Sequence, residues 1–238
     1  MTEAKNNIVQ LALEFPNRPS LGREDFLVSP CNQEAVALID AWPDWPYFAV
    51  CVYGDEGSGK THLANVFANK VALLTNFPYR IPFIRAAKIN RGNLRSLFDY
   101  SKCLVVEELD SLQDEEALFH LYNLFRDEGG NILFTSSQAP ARLDIKLPDL
   151  RSRLNIVPAA EIREPDDELL SALLVKLFMD RQVTPSPEVI HFMVNNMQRS
   201  FAFARHLVTE VDNVSLARKR AVSINIVKEA LANIAARH

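Results

Sequence analysis

Apolar and polar positions along the chain fall into two regimes. Up to about residue 163, short apolar runs alternate with segments of helical spacing. Phe48-Ala-Val-Cys-Val-Tyr53, Ile84 to Ala87, Lys102-Cys-Leu-Val-Val-Glu107 and Asn131-Ile-Leu-Phe-Thr-Ser136 read as strands, and Asn155-Ile156-Val157 as a fifth. The run at 102–107 is continuously apolar, the pattern of a strand buried on both faces of a parallel sheet. Between the strands, Asn32 to Ala41, His62 to Lys70 and Glu115 to Asp127 repeat apolar residues at helical intervals. In the last of these, Leu118, Phe119, Tyr122 and Phe125 share a face. Ser29 and Pro30 supply a cap and a first-turn proline for the first helix, and the Trp42-Pro43-Asp44-Trp45-Pro46 segment ends it. Gly129-Gly130 terminates the helix at 115–127. This alternation predicts an α/β unit with a parallel five-stranded sheet and right-handed crossovers.

After Pro165 the strand signals stop. Asp166 to Met179, Pro187 to Met197, Ser200 to Arg218 and Asn225 to Ala236 read as helices of a small all-helical domain. The first residues differ again: Pro16, Pro19 and Gly22 interrupt a stretch with one short apolar patch, which reads as an extended arm. The expected division is an arm at 1–24, an α/β domain at 25–163 and a helical domain at 164–238.

The 238 residues carry a net charge of −4, which argues against a strongly basic, DNA-coating protein. Cys31, Cys51 and Cys103 share no metal-ligand spacing and read as buried free thiols of a reducing compartment. The N-terminus is polar without an apolar secretory core, and no run is long enough to span a membrane, so a cytoplasmic protein is expected.

Chemistry enters at Gly54-Asp55-Glu56-Gly57-Ser58-Gly59-Lys60-Thr61. This octapeptide follows an apolar strand and opens a helix, the context of a phosphate-binding P-loop. Glycines let the backbone approach an anion closely, and the freed N–H groups with the helix N-terminus hold it. Lys60 reaches the β/γ-phosphates, and the Thr61 hydroxyl can coordinate Mg²⁺. The apolar run at 102–107 ends in Glu107-Glu108-Leu109-Asp110, as a Walker B strand ends in carboxylates. Glu107 is placed to hold Mg²⁺ and Glu108 to polarise water, although aspartate is usual at the first position. Ser136 closes the next strand, where a hydroxyl can position water or phosphate; a turn-starting role fits it equally well. Two arginines, Arg151 and Arg153, lie in Leu147-Pro-Asp-Leu-Arg-Ser-Arg-Leu154; a guanidinium there can act in trans on a phosphate or be simply solvated. Arg199, before the helix at 200–218, can reach from the second domain to the nucleotide or lie on the surface.

The order GDEGSGKTHL, VVEELD, ILFTSSQAP, LPDLRSRL, then QRSFAFAR resembles the AAA+ domain of the replication initiator DnaA and its relatives, over roughly residues 25–238. The resemblance implies an AAA+ P-loop domain followed by a helical lid, with ADP or ATP and Mg²⁺ as ligands. It places residues 54–61 and His62 at the nucleotide, Thr135 or Ser136 in sensor 1, Arg199 on sensor 2 and Arg153 on an arginine finger. In the arm, Gln10-Leu11-Ala12-Leu13-Glu14-Phe15 is similar to a sliding-clamp-binding peptide, with Gln10, Leu11, Leu13 and Phe15 as its contacts. DnaA continues into a DNA-binding domain, and this sequence stops after the lid. Such a module with a clamp motif is similar to the regulatory members of the family. The implied partners are the sliding clamp and DnaA, with stimulated hydrolysis of DnaA-bound ATP as the output and weak hydrolysis of its own. No sequence-specific DNA binding is expected, and a homodimer is open. The competing reading is a self-sufficient AAA+ ATPase, such as a helicase loader or DNA-remodelling factor. A small-molecule kinase would need a substrate site in place of the lid.

Overall fold

The computed structural model describes residues 27–75 and 80–236. The arm, with Gln10, Leu11, Leu13 and Phe15, lies outside the described residues. Five parallel strands, β1 (Ala49–Tyr53), β2 (Phe83–Arg85), β3 (Cys103–Glu107), β4 (Asn131–Ser136) and β5 (Ala159–Glu161), form one sheet in the order β2-β3-β4-β1-β5. Alternate side chains of a strand face opposite sides of a sheet, and the core divides accordingly. Ala49, Cys51, Leu104, Val106, Ile132 and Phe134 lie in the apolar cluster on one side. Val50, Val52, Cys103, Val105 and Leu133 lie in the cluster on the other. The central strands therefore need apolar residues at every position, which is the continuous pattern in the sequence.

The first side is covered by α3 (Leu94–Tyr100), α4 (Glu115–Asp127) and α5 (Pro148–Asn155), the second by α1 (Gln33–Asp40) and α2 (Lys60–Thr75). Helix α4 starts at Asp114, whose carboxylate accepts from Ala117 N at 2.9 Å. It buries Leu118, Leu121, Tyr122 and Phe125, while Phe119 is only half-buried. Gly129 beyond its end adopts φ +73°, the left-handed conformation that closes a helix. Ser29 does not cap α1 with its side chain; its carbonyl instead accepts from Asn32 N and Gln33 N in a preceding turn.

The fifth strand is displaced from its expected position. Asn155 ends α5, Ile156 is exposed and Val157 is buried in the core; pairing with β1 begins later, where Cys51 N donates to Pro158 O at 2.9 Å. The helical turns through 148–155 run on into the apolar pair at 156–157, so those residues cannot extend as a strand.

Helices α6 (Asp167–Met179), α7 (Pro187–Asn196), α8 (Phe201–Arg218) and α9 (Ile224–Ala236) enclose a third, separate apolar cluster, onto which Leu27 packs. Asp166 and Ser200 cap α6 and α8 through Leu169 N and Phe203 N. All three cysteines are buried free thiols. No helix among the described residues is long and apolar enough to cross a membrane.

Candidate functional site

The carboxyl ends of β1, β3 and β4 meet the start of α2, and the lid closes over them. The loop after Tyr53 needs its glycines for two distinct reasons. A Cβ on Gly54, which has φ +153°, would stand 2.2 Å from Ile162 O, so the chain beyond β5 leaves no room for a side chain. A Cβ on Gly57, at φ +75°, would stand 2.8 Å from Ala202 Cβ at the start of α8, so the lid lies directly against the loop. Ser58 Oγ is buried with no hydrogen-bond partner among the described residues.

Lys60 folds back onto this loop, donating from Nζ to Gly54 O at 2.6 Å and Asp55 O at 2.7 Å. Burial pushes its ammonium pKa down, opposed by Asp110, Asp55 and Glu56. Thr61 Oγ1 donates to Glu107 Oε1 at 3.1 Å, which joins the P-loop helix to the end of β3. Glu108 adopts a left-handed conformation, φ 55° and ψ 53°, held by a hydrogen bond from its N–H to Thr135 Oγ1 at 3.3 Å. Its exposed carboxylate pairs with Arg85 at 3.5 Å.

Asp110 is a site residue that strand-end reasoning passed over. Its Oδ1 accepts from Ser137 N at 2.8 Å and from Ser136 Oγ at 3.2 Å, tying the turn after β3 to the end of β4. Burial alone would raise its pKa, but these hydrogen bonds to the charged form outweigh it and hold the carboxyl below its ordinary value. Ser136 is fully buried, with its hydroxyl committed to Asp110.

These groups line a cavity of about 540 Å³ shared with the lid, which contributes Leu173, Phe201, Ala202 and Arg205. Glu56, Gly57, Ser58, Gly59, Lys60, Thr61, His62, Glu107, Glu108 and Ser136 all reach it. Gly54 and Asp55 lie behind the lining and accept from Lys60 through their carbonyls. Arg199 is not brought to the cavity; it is half-exposed and pairs with Asp167 at 2.7 Å. The lid cation at the cavity is Arg205, whose Nη2 approaches His62 Nδ1 at 3.3 Å. Desolvation lowers its pKa. Phe201, Ala202 and Arg205 follow one another at helical spacing on α8, so the face that meets the P-loop begins after Arg199.

Arg153 also lies outside the cavity. Its guanidinium stacks over the ring of Phe119 at 4.9 Å and is 5.8 Å from that of Tyr122, both on α4. Among the described residues, no group of three His, Cys, Asp or Glu side chains converges on a metal position.

A family model of the bacterial DnaA ATPase domain matches residues 19–158. An uncharacterized protein of Haemophilus influenzae is 27% identical over 191 residues, 78% of this chain and 81% of that one. The chromosomal replication initiator protein DnaA of Cutibacterium acnes is 25% identical over 234 residues, 91% of this chain but 47% of that one. The chain thus spans about half the length of that initiator. The crystal structure of domain III of the Thermotoga maritima replication initiation protein DnaA superposes with a TM-score of 0.78 at 22% identity, covering 90% of this chain and 97% of that one. At that identity the likeness establishes the AAA+ fold.

Proposed function

Because the chain belongs to the bacterial DnaA ATPase domain family, we propose that it is a nucleotide-holding regulator of replication initiation of the Hda type. It binds ADP or ATP in the cavity, attaches to the DNA polymerase sliding clamp through its arm and stimulates hydrolysis of ATP held by DnaA, which prevents over-initiation. It works in the cytoplasm, where the chromosome is. The observation that carries this reading is the position of Arg153: it stands off the chain's own cavity, so its charge is available to a phosphate held by another module.

The cavity suits an adenine nucleotide. The positive-φ glycines, the unpartnered Ser58 Oγ, the N-terminus of α2 and Lys60 fit a polyphosphate. Arg205 adds a lid cation, and Leu27, Leu173 and Phe201 offer apolar surface for a base. Mg²⁺ would be held by Thr61 and Glu107, with phosphate oxygens and water completing its shell, as is usual for a cation that keeps few protein ligands. When bound, it would neutralise charge on the phosphates. Glu108, the candidate water-polarising group, lines the cavity and pairs with Arg85 at 3.5 Å through an exposed contact. The nucleotide wedged between α/β unit and lid serves to hold the closed form, which it stabilises by mass action.

Two variants test the reading. Removing residues 1–15 should abolish clamp binding in a pull-down, and retained binding would remove the clamp from the account. Arg153→Ala should keep clamp binding and lose stimulation of DnaA; full stimulation by this variant would refute the finger assignment. The carboxylates at the cavity also keep a second reading in view, a self-sufficient ATPase. It requires appreciable turnover by the isolated protein and acceleration by nucleic acid.

A further inference from the structure

The turn that leads into α1 touches the cavity, the lid and the chain between them. Asn32 within it is 1% exposed, and a buried carboxamide is costly unless its polar atoms are hydrogen-bonded. It does not cap α1 with its side chain. Its Nδ2 donates to Leu27 O at 2.9 Å and its Oδ1 accepts from Ser29 N at 3.0 Å, so it reaches back and closes the backbone of 27–32. The neighbouring Cys31 O accepts from Arg163 N at 2.9 Å, three residues before Asp166 caps the first lid helix. The residue held at the start of the turn is Leu27. Its side chain lines the cavity with Leu173 and Phe201, and among the described residues before Asp166 it alone packs against the lid's apolar cluster. Asn32 itself does not line the cavity.

We infer that Asn32 is a positioning residue for the bound nucleotide, acting through Leu27, and that the 27–32 turn ties an occupied cavity to the lid. This rests on the reading of the cavity as a nucleotide site given above. A ligand in the cavity meets in Leu27 a side chain that also belongs to the lid's packing. Apolar surface buried there is shared by both bodies, so one contact favours binding and lid closure together. The contact counts in full only where the turn is already formed. Where the binding-competent arrangement is fractionally populated, apparent affinity falls by that fraction. Without the Asn32 carboxamide, Leu27 O and Ser29 N lose the partners that order them, and the ordering of Leu27 is left to the ligand. Asn32 does not act by touching the nucleotide, since its carboxamide is buried and engaged inside the turn. A turn with a structural role alone would behave differently. Its loss would lower the stability of the ligand-free protein and leave affinity unchanged.

The test is a titration of the whole chain with a fluorescent ADP analogue, alongside thermal melts without ligand. Asn32→Ala and Leu27→Ala should each raise the dissociation constant about tenfold, as for a competent fraction reduced to about one tenth. Leu27→Met, apolar and of similar volume, should restore affinity to within about threefold of the parent. In the Leu27→Ala background, adding Asn32→Ala should weaken binding by less than about twofold more, the non-additivity of two residues acting through one contact. At saturation the analogue should slow protease cleavage between the α/β unit and the lid in the parent, and much less in Leu27→Ala; equal protection overturns the tie to the lid. Parent affinity in either alanine variant overturns the proposal, as does a lowered ligand-free midpoint with unchanged affinity. Fully additive losses in the double variant overturn the path through Leu27. If Asn32→Ala does not fold, Leu27→Ala against Leu27→Met decides, and equal affinities overturn the inference. Lys60→Ala separates the two levels. A parent that binds the analogue, with binding lost in Lys60→Ala and kept in Leu27→Ala, leaves the cavity reading standing and removes the positioning role. A parent that does not bind the analogue overturns the cavity reading and this inference together.

Discussion

Arg205 Nη2 lies 3.3 Å from His62 Nδ1, so the lid helix α8 and the P-loop helix α2 are joined by a cation facing the cavity. An imidazole is a weak partner for a desolvated guanidinium, and a phosphate would be a far better one. Arg205→Ala should weaken nucleotide binding about tenfold or more, the scale of one hydrogen bond to a charged group. Arg199→Ala, which breaks only an exposed pair with Asp167, should leave it within about twofold. Titration with a fluorescent adenine nucleotide decides between them, and the reverse ranking would return the sensor role to Arg199.

Gly54→Ala should destabilise the protein before any ligand is considered. The added Cβ meets Ile162 O at 2.2 Å in a backbone conformation that L side chains rarely adopt. The expected loss is about 1–3 kcal/mol or more, as for overpacking elsewhere. Thermal melts of the ligand-free proteins measure it; an unchanged midpoint would show that the chain after β5 yields easily.

Asp110 should make the fold sensitive to acid. Its carboxyl is more acidic folded than unfolded, so the unfolded chain takes up the proton first as pH falls. The stabilisation is present above the ordinary carboxylate value and is lost as pH falls through the lower, folded one. Asp110→Asn should therefore be less stable at neutral pH and show a flatter decline between about pH 5 and 3. Melting temperatures across that range would show parallel curves if the carboxylate has no such role.

The thiols should be silent in the native protein. Burial raises the pKa of all three, Cys103 to about 11 and Cys51 beyond the accessible range. A disulfide-exchange reagent at pH 8 should label none rapidly and all three after unfolding. Fast labelling of Cys51 in the native state would mean that β1 opens readily.

The P-loop and the strands flanking the site were legible because their signals are local. The apolar runs at β1, β3 and β4 are short and uninterrupted, and Gly54 to Thr61 carries its own context. What was not legible depends on tertiary placement. Strand β5 is three residues long with a single buried position, Ala160, and among the described residues pairs with β1 alone, so the stronger apolar signal lies at Ile156-Val157. The sequence reading names Arg199 and passes over Arg205, six positions on; the approach of Ala202 to Gly57 shows which face of α8 meets the loop. In the sequence Asp110 reads as part of an acidic turn; only the fold brings Ser136 and Ser137, 26 and 27 residues away, to its carboxylate.

In the function proposed above, this chain acts on a nucleotide held by another protein. The most direct measurement combines the purified protein with DNA-loaded sliding clamp and DnaA carrying labelled ATP, and follows labelled ADP on DnaA. Conversion well above that with clamp alone is expected, dependent on residues 1–15 and on Arg153. Conversion unchanged by the protein, with turnover confined to ATP in its own cavity, would contradict it.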